Sequence, residues 1–136
     1  MDREAQQILV IDNDTRRRQL CERALAEEGF AVTAVAEGFS AIRAAGSHRF
    51  ALAVVAVELP GTLDGLATMR QLRARQPWLK ALFTGKVSGW PWWWSVADSD
   101  EFIPAPFHRH DLLGCVFELL QRDVGRAGRR DHHRVV

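Results

Sequence analysis

The sequence predicts a single α/β domain in which a five-stranded parallel sheet is covered by helices on both faces. Short apolar runs alternate strictly with segments whose apolar residues recur at helical spacing, an order typical of parallel βαβ units. The length of 136 residues is that of one domain. Hydrophobic residues make up 47% of the chain and charged residues 26%, which is close to globular averages and excludes a wholly disordered chain.

The strands are predicted from runs of apolar, mostly β-branched residues. The run at 8–11 is continuous and is typical of a strand buried on both faces. The most apolar stretch, 51–57, is predicted to be the central strand, and Pro60-Gly61 interrupts the chain after it. The three remaining strands are predicted at 31–35, 81–84 and 101–103.

Four helices are predicted at 15–28, 39–45, 64–76 and 108–122. Asp14 or Thr15 can cap the first of them, and Gly29 fits the position after its end. Their apolar residues recur every three or four positions and are expected to face the sheet. These residues are Leu20, Cys21, Ala24, Leu25, Ala41, Ile42, Ala45, Leu66, Met69, Leu72, Leu112, Cys115, Val116, Phe117, Leu119 and Leu120.

Charge and composition limit the classes of function. The net charge of +1 argues against a dedicated nucleic-acid coat protein and against a polybasic membrane binder. The segment 122–136 carries five Arg and two Asp and is predicted to be a flexible basic tail, as 1–6 is a short polar one, around a domain at 7–121. With two cysteines, no apolar signal segment and no apolar run of membrane length, we expect a cytoplasmic protein.

Four short motifs in order make the chain similar to a known family. They are the strand ending in Asp12, the Leu59-Pro60-Gly61 turn followed by Asp64-Gly65, the segment Leu-Phe-Thr-Gly at 82–85, and Phe-Ile-Pro-Ala-Pro-Phe at 102–107. Together they resemble the receiver domain of bacterial response regulators over about residues 7–121. The resemblance implies a flavodoxin-like, CheY-like fold with strand order 2-1-3-4-5, here with an altered helix after the fourth strand.

The resemblance also implies a chemistry, and this chain lacks three of its parts. Receiver domains accept a phosphoryl group on an aspartate, with Mg²⁺ held by an acidic pair and a lysine as counter-charge. Counting back from Pro60-Gly61, the acceptor position falls on Ala56. The lysine position falls on Ala105, and the acidic pair becomes Asp12-Asn13, in which asparagine is a weaker ligand for a hard cation.

The residues that remain define a remnant pocket without a catalytic group. By the resemblance it comprises Asp12, Asn13, Ala56, Glu58, Thr84 and Ala105, with Phe102 at the position of the family's switch aromatic. We expect neither Mg²⁺ nor another cofactor there, Asp12 being the one weak candidate for a metal ligand. The leading hypothesis is a single-domain signalling protein, not an enzyme, that acts through protein contacts independently of aspartyl phosphorylation. Its expected partner is a histidine kinase, another regulator or a second copy.

Two alternatives remain open. The protein could be phosphorylated at an unconventional carboxylate, Asp12, Asp14 or Glu58, with Lys86 in place of the missing lysine. It could also be a small-ligand sensor that uses the tryptophan-rich segment after the fourth strand. That segment contains Trp90, Trp92, Trp93 and Trp94. Because tryptophan dominates interface hot spots, we expect these side chains to form a partner surface, the alternative being that they fill space over the sheet.

Overall fold

The computed structural model describes residues 5–86 and 100–122, which form one parallel sheet with helices on both faces. The five strands are β1 (Gln7–Ile11), β2 (Ala31–Val35), β3 (Leu52–Ala56), β4 (Lys80–Gly85) and β5 (Asp100–Pro104). Their order across the sheet is β2-β1-β3-β4-β5. Four helices lie within the described ranges: α1 (Thr15–Glu27), α2 (Gly38–Ala45), α3 (Gly65–Arg75) and α4 (Arg109–Gln121). The predicted fold class and strand order are therefore confirmed.

Alternation along the strands divides the core into two layers. In β1, Ile8 and Val10 join α1 and α4 in one apolar cluster, while Leu9 and Ile11 join α2 and α3 in the other. Successive side chains of a strand point to opposite faces of a sheet. Since every residue of β3 is buried, helices cover both faces of the sheet at its centre.

Helix caps fix where the chain turns at the carboxyl edge of the sheet. The Asp14 side chain accepts a hydrogen bond from the Arg17 amide at 2.9 Å and starts α1. Asp64 starts α3 in the same way through the Ala67 amide at 2.8 Å. A side chain at Gly65 would collide with the Ala56 carbonyl oxygen. This glycine therefore lets α3 begin directly against the end of β3.

Buried polar side chains tie the opposite, amino edge together. Gln76 accepts a hydrogen bond from the Phe50 amide at 2.9 Å and donates to the Ala45 and His48 carbonyls at 3.1 and 2.7 Å. Lys80 adds two hydrogen bonds at this edge, because its ammonium donates to the Leu119 and Arg122 carbonyls at the end of α4, at 2.6 and 2.5 Å. These contacts fix loops and helix ends far from the carboxyl edge.

Two apolar residues predicted to face the sheet do not do so. Leu20 is 38% exposed and Phe117 is 40% exposed. In α1 the sheet buries only the narrower stripe of Cys21, Ala24 and Leu25, so Leu20 lies at the margin of that stripe. The prediction that Leu20 and Phe117 belong to the sheet-facing side of their helices is therefore wrong, and Cys115 is only partly buried.

Some predicted features lie outside the described residues. They include the tryptophan-rich segment with Trp90, Trp92, Trp93 and Trp94, the altered helix after β4, and most of the two tails. Within 5–86 and 100–122, no helix combines the length and apolar character that a bilayer crossing requires.

Candidate functional site

The remnant pocket lies at the carboxyl edge of the sheet, at the ends of β1, β3 and β4. Ile11 pairs with Val55 and Ala56 pairs with Thr84 in the parallel register, so Asp12 follows β1 beside Ala56. Asp12, Ala56 and Thr84 each follow a residue whose side chain packs in the apolar cluster with α2 and α3, called here the α2–α3 cluster. Because successive side chains of a strand point to opposite faces, these three side chains point toward α1 and α4. In doubly wound sheets, this edge is where ligands bind.

The loops that follow the strands place the other predicted pocket residues in different environments. The Ala105 amide donates to the Gly85 carbonyl at 2.8 Å, which holds Ala105 one residue beyond β4 and β5. Its side chain is partly buried, whereas Asn13 and Glu58 are exposed. The structure thus brings Asp12, Ala56, Thr84 and Ala105 to one edge and leaves Asn13 and Glu58 in solvent.

Ala56 presents only a methyl group at the centre of this pocket. It is 3% exposed, and beside it the Val57 amide donates to the Thr84 carbonyl at 2.8 Å. The Thr84 hydroxyl is fully buried and has no hydrogen-bond partner within the described part of the chain. A buried hydroxyl without a partner costs free energy. The pocket therefore contains a buried hydroxyl that can form a hydrogen bond, whereas the side chain of residue 56 has no oxygen to pair with it.

Asp12 is held by an arginine that the sequence analysis did not single out. Arg17 Nε donates to Asp12 Oδ2 at 2.6 Å and Arg17 Nη2 donates to Oδ1 at 3.0 Å, a bidentate pair. Asp12 Oδ1 also accepts the Asp14 amide at 2.9 Å, and Arg18 Nη1 donates to the Asp12 carbonyl at 2.8 Å. The Asp12 side chain is 5% exposed and that of Arg17 is 31% exposed. The first turn of α1 is thereby fastened to the end of β1.

The pKa values of three groups in and around this ion pair depart from their ordinary values. The hydrogen bonds to Asp12 raise the pKa of the Arg17 guanidinium above its ordinary value. The pKa of Asp14 is lowered, first by its hydrogen bond from the Arg17 amide. Burial raises the pKa of the Cys21 thiol, one turn further along α1, to about 12, and the Asp12 carboxylate adds to that shift. Cys21 is therefore a protonated core residue at neutral pH, as its apolar position predicted.

The described residues do not fit a magnesium site. Mg²⁺ needs oxygen ligands in near-octahedral geometry, with carboxylates free to face it. Here both carboxylate oxygens of Asp12 accept hydrogen bonds, Ala56 has no oxygen in its side chain, and Asn13 is exposed. Nor do the described ranges contain a cluster of three His, Cys, Asp or Glu side chains suited to a metal. The guanidinium of Arg17 supplies the positive charge beside Asp12 instead.

Phe102 lies next to this edge, on the other face of the sheet. It is partly buried and packs on the α2–α3 cluster. Its ring lies 4.0 Å from where a side chain on Gly85 would begin. The peptide bond between Ala105 and Pro106 is cis. Phe102 thus takes an inward position beside the turn that follows β4.

Comparison with known families agrees with this geometry. The model of the response regulator receiver domain matches residues 8–91, which is more than half of the chain. The chain belongs to the response-regulator receiver family. Receiver domains are signalling modules, and the four sequence motifs that carried the resemblance had identified the family.

Curated relatives of this receiver domain are transcriptional regulators. The transcriptional regulatory protein TctD of Salmonella typhimurium strain LT2 is 30% identical over 128 residues, which cover 88% of this chain and 54% of TctD. The transcriptional activator protein PfeR of Pseudomonas aeruginosa is 30% identical over 121 residues, covering 85% of this chain and 38% of PfeR. The chain thus spans about half the length of these relatives, or less.

Two solved receiver structures share the fold over nearly their full length. A response regulator receiver protein from Sinorhizobium medicae superposes with a TM-score of 0.77 at 25% identity, covering 86% of this chain and 95% of the other. A CheY-like receiver domain from Methanospirillum hungatei gives a TM-score of 0.72 at 21% identity, covering 85% and 94%. The second likeness concerns the fold alone.

Sequence reasoning missed Arg17. It lies five residues after Asp12, among three consecutive arginines that are typical of the solvated face of a helix. One signal was available: residues near the start of a helix that follows a parallel strand lie at the carboxyl edge of the sheet. An arginine in that turn, after an acidic strand end, is a candidate counter-ion for it.

Proposed function

We propose that this receiver domain signals through contacts with another protein and does so without phosphorylation of an aspartate. The observation that carries the proposal is the buried methyl group of Ala56 at the acceptor position of the family. A methyl group has no oxygen that can attack a phosphoryl donor. The proposed partner is a signalling protein such as a histidine kinase or another regulator, and a homodimer is the variant of this proposal.

The electrostatics of the pocket support the same conclusion. Phosphoryl transfer requires positive charge around the transferred group. Ala105 supplies none, and the charge of Arg17 is already committed to Asp12 through two hydrogen bonds. The acceptor, the counter-charge and the cation site are thus changed together, which favours loss of the reaction over a slow version of it.

In this proposal the pocket has a single conformation, which contacts among its own side chains maintain. Arg17 and Arg18 hold the end of β1 to the start of α1. The Thr84 hydroxyl has no phosphoryl oxygen to reach, so Phe102, one residue before the β5 partner of Thr84, keeps its inward position. A partner would bind this one surface, and the level of the protein, not its modification, would set the signal.

Intact-mass spectrometry tests the proposal. The full chain is incubated with Mg²⁺ and acetyl phosphate beside an ordinary receiver domain as a positive control. We expect the control to gain the mass of one phosphoryl group and this protein to keep its mass. The triple variant Arg17→Met, Ala56→Asp, Ala105→Lys is the matched control, because it frees Asp12 and restores an acceptor and a counter-charge in the same fold, and it should gain some phosphoryl mass.

A phosphoryl group on the unmodified protein would refute the proposal. Glu58 is the acceptor to check first, because it is exposed and lies two residues beyond Ala56. If the variant Glu58→Gln abolished the mass gain, the protein would be a receiver phosphorylated at an unconventional carboxylate. If it did not, peptide mapping would decide between Asp12 and Asp14.

A further inference from the structure

The two outer strands of the sheet differ in charge. They are β2 and β5, at the two ends of the order β2-β1-β3-β4-β5. The sequence of β5 is Asp-Glu-Phe-Ile-Pro, and charged side chains and proline hinder an edge strand from pairing with another strand. The sequence of β2 is Ala-Val-Thr-Ala-Val, without charge or proline, and all five of its residues are partly exposed. The outer edge of β2 is therefore open to pairing.

The backbone groups on this outer edge follow from the hydrogen bonds on the inner one. At the start of β2, the Ala31 amide donates to the Gln6 carbonyl at 3.0 Å. At its end, the Val35 carbonyl accepts a hydrogen bond at 3.0 Å from the first residue after β1. Because backbone groups alternate in direction along a strand, those of Val32 and Ala34 point away from β1. Within residues 5–86 and 100–122, no strand pairs with that side of β2.

The side of α1 nearest this edge carries two opposite charges. α1 packs on β2 through the cluster that contains Val32 and Ala34, and α4 packs on β4 and β5. Leu20 lines the groove between α1 and α4 and so marks the side of α1 that faces α4. Arg18 and Glu22 are each two residues from Leu20, a turn of about 200°, and therefore lie on the opposite side. Neither forms an ion pair within the described part of the chain, so neither charge is balanced there.

We propose that the outer edge of β2 pairs with β2 of a second copy of this chain, antiparallel and about a two-fold axis at Thr33. Val32 then lies opposite Ala34 of the partner subunit, and each such pair exchanges two backbone hydrogen bonds. The same axis sets the two α1 helices antiparallel, so that Arg18 lies toward Glu22 of the partner subunit. This charge complementarity favours a second copy over an unrelated strand. The inference rests on the homodimer form of the proposed function, for which it names the surface.

Residue 33 lies opposite its own copy on the proposed axis, and an exchange of charge at this residue tests the inference. In analytical ultracentrifugation, the full chain should pass on dilution from twice the mass of one chain to the mass of one. Thr33→Lys and Thr33→Glu should each raise the dissociation constant of the dimer at least about tenfold, because like charges meet. An equimolar mixture of ¹⁵N-labelled Thr33→Lys and unlabelled Thr33→Glu should form mixed dimers, which native mass spectrometry distinguishes by their mass.

Two further variants and hydrogen exchange control for other effects. Thr33→Val adds no charge and should change the dissociation constant less than about threefold. Arg70→Glu, which alters an exposed arginine of α3, should change it less than about twofold. In the unmodified protein, the Val32 and Ala34 amides should exchange rapidly in the monomer and slowly in the dimer. The Thr33 amide, which faces β1, should exchange slowly in both.

Other outcomes would overturn the inference. A full chain that stays monomeric at every concentration, or a dimer whose dissociation constant Thr33→Lys leaves unchanged, would refute it. So would an absence of mixed dimers from the two charged variants when circular dichroism shows both to be folded. Slow exchange of the Val32 and Ala34 amides in the monomer would assign the edge to another segment of the same chain and would equally refute the pairing. Because no phosphoryl donor is present, these results are independent of the mass measurement that tests the proposed function.

Discussion

Replacing Arg17 by methionine keeps most of the side-chain volume and removes both hydrogen bonds to Asp12. Of the donors to the Asp12 carboxylate described above, only the Asp14 amide remains. Breaking a fully buried ion pair costs about 3–5 kcal/mol, and an exposed pair contributes about 0–1 kcal/mol. Asp12 is buried but Arg17 is 31% exposed. We therefore expect the free energy of unfolding to fall by an intermediate amount, about 2 kcal/mol.

Urea denaturation measures this change. With a denaturant slope of about 2 kcal/mol per molar, the midpoint should fall by about 1 M urea. The double variant Asp12→Asn, Arg17→Met completes a mutant cycle and should lose less than the sum of the single variants, because the charge that Arg17 balances is gone. Arg70→Met, on an exposed arginine of α3, is the control. Additive losses in the cycle, or equal effects of Arg17→Met and Arg70→Met, would refute the role assigned to Arg17.

Further predictions concern two glycines and two cysteines. Gly65→Ala should lower the free energy of unfolding by about 3 kcal/mol, because the new methyl group collides with the Ala56 carbonyl. Gly114→Ala has open space around it and should raise the free energy of unfolding by about 0.5–1 kcal/mol. Thermal melting compares the two variants with the unmodified protein. The pKa of Cys21 is about 12 in the folded protein against 9.0 for a free thiol, so above pH 9 the unfolded chain loses this proton first and stability falls as the pH rises toward 12. Cys21→Ala should reduce that slope by up to about 1.4 kcal/mol per pH unit in urea titrations. Near neutral pH, a thiol reagent should modify the partly buried Cys115 before Cys21, and equal rates would contradict the packing of α1.

The elements that the sequence predicts best are those where one physical rule decides. The short β-branched apolar run at 8–11 favours a buried strand, and the alternation of strands with helices favours a parallel sheet. The resemblance to receiver domains, counted back from Pro60-Gly61, places Ala56 at the end of the central strand, and Ala56 is the last residue of β3 in the structure. Caps at Asp14 and Asp64 mark helix starts because their side chains accept backbone hydrogen bonds.

The features that escaped prediction depend on side-chain direction in three dimensions. Nothing in a run of three arginines distinguishes Arg17, whose side chain binds Asp12, from Arg16, whose side chain is exposed. Leu20 has the spacing of a core residue, yet the packing of α4 beside α1 decides how much of it is covered. Helical spacing predicts the face on which a residue lies only to within one position. For a residue at the margin of an apolar stripe, this precision is insufficient to predict whether its side chain is buried.

The Arg17–Asp12 pair has an evolutionary consequence. Once an arginine neutralises the remaining pocket acid, selection for stability preserves that pair whether or not phosphorylation is needed. A lineage that regained aspartate at residue 56 alone would still face an occupied Asp12 and a missing lysine at Ala105. Under the proposed function, a single substitution would therefore not restore the reaction, because residues 17, 56 and 105 would have to change together.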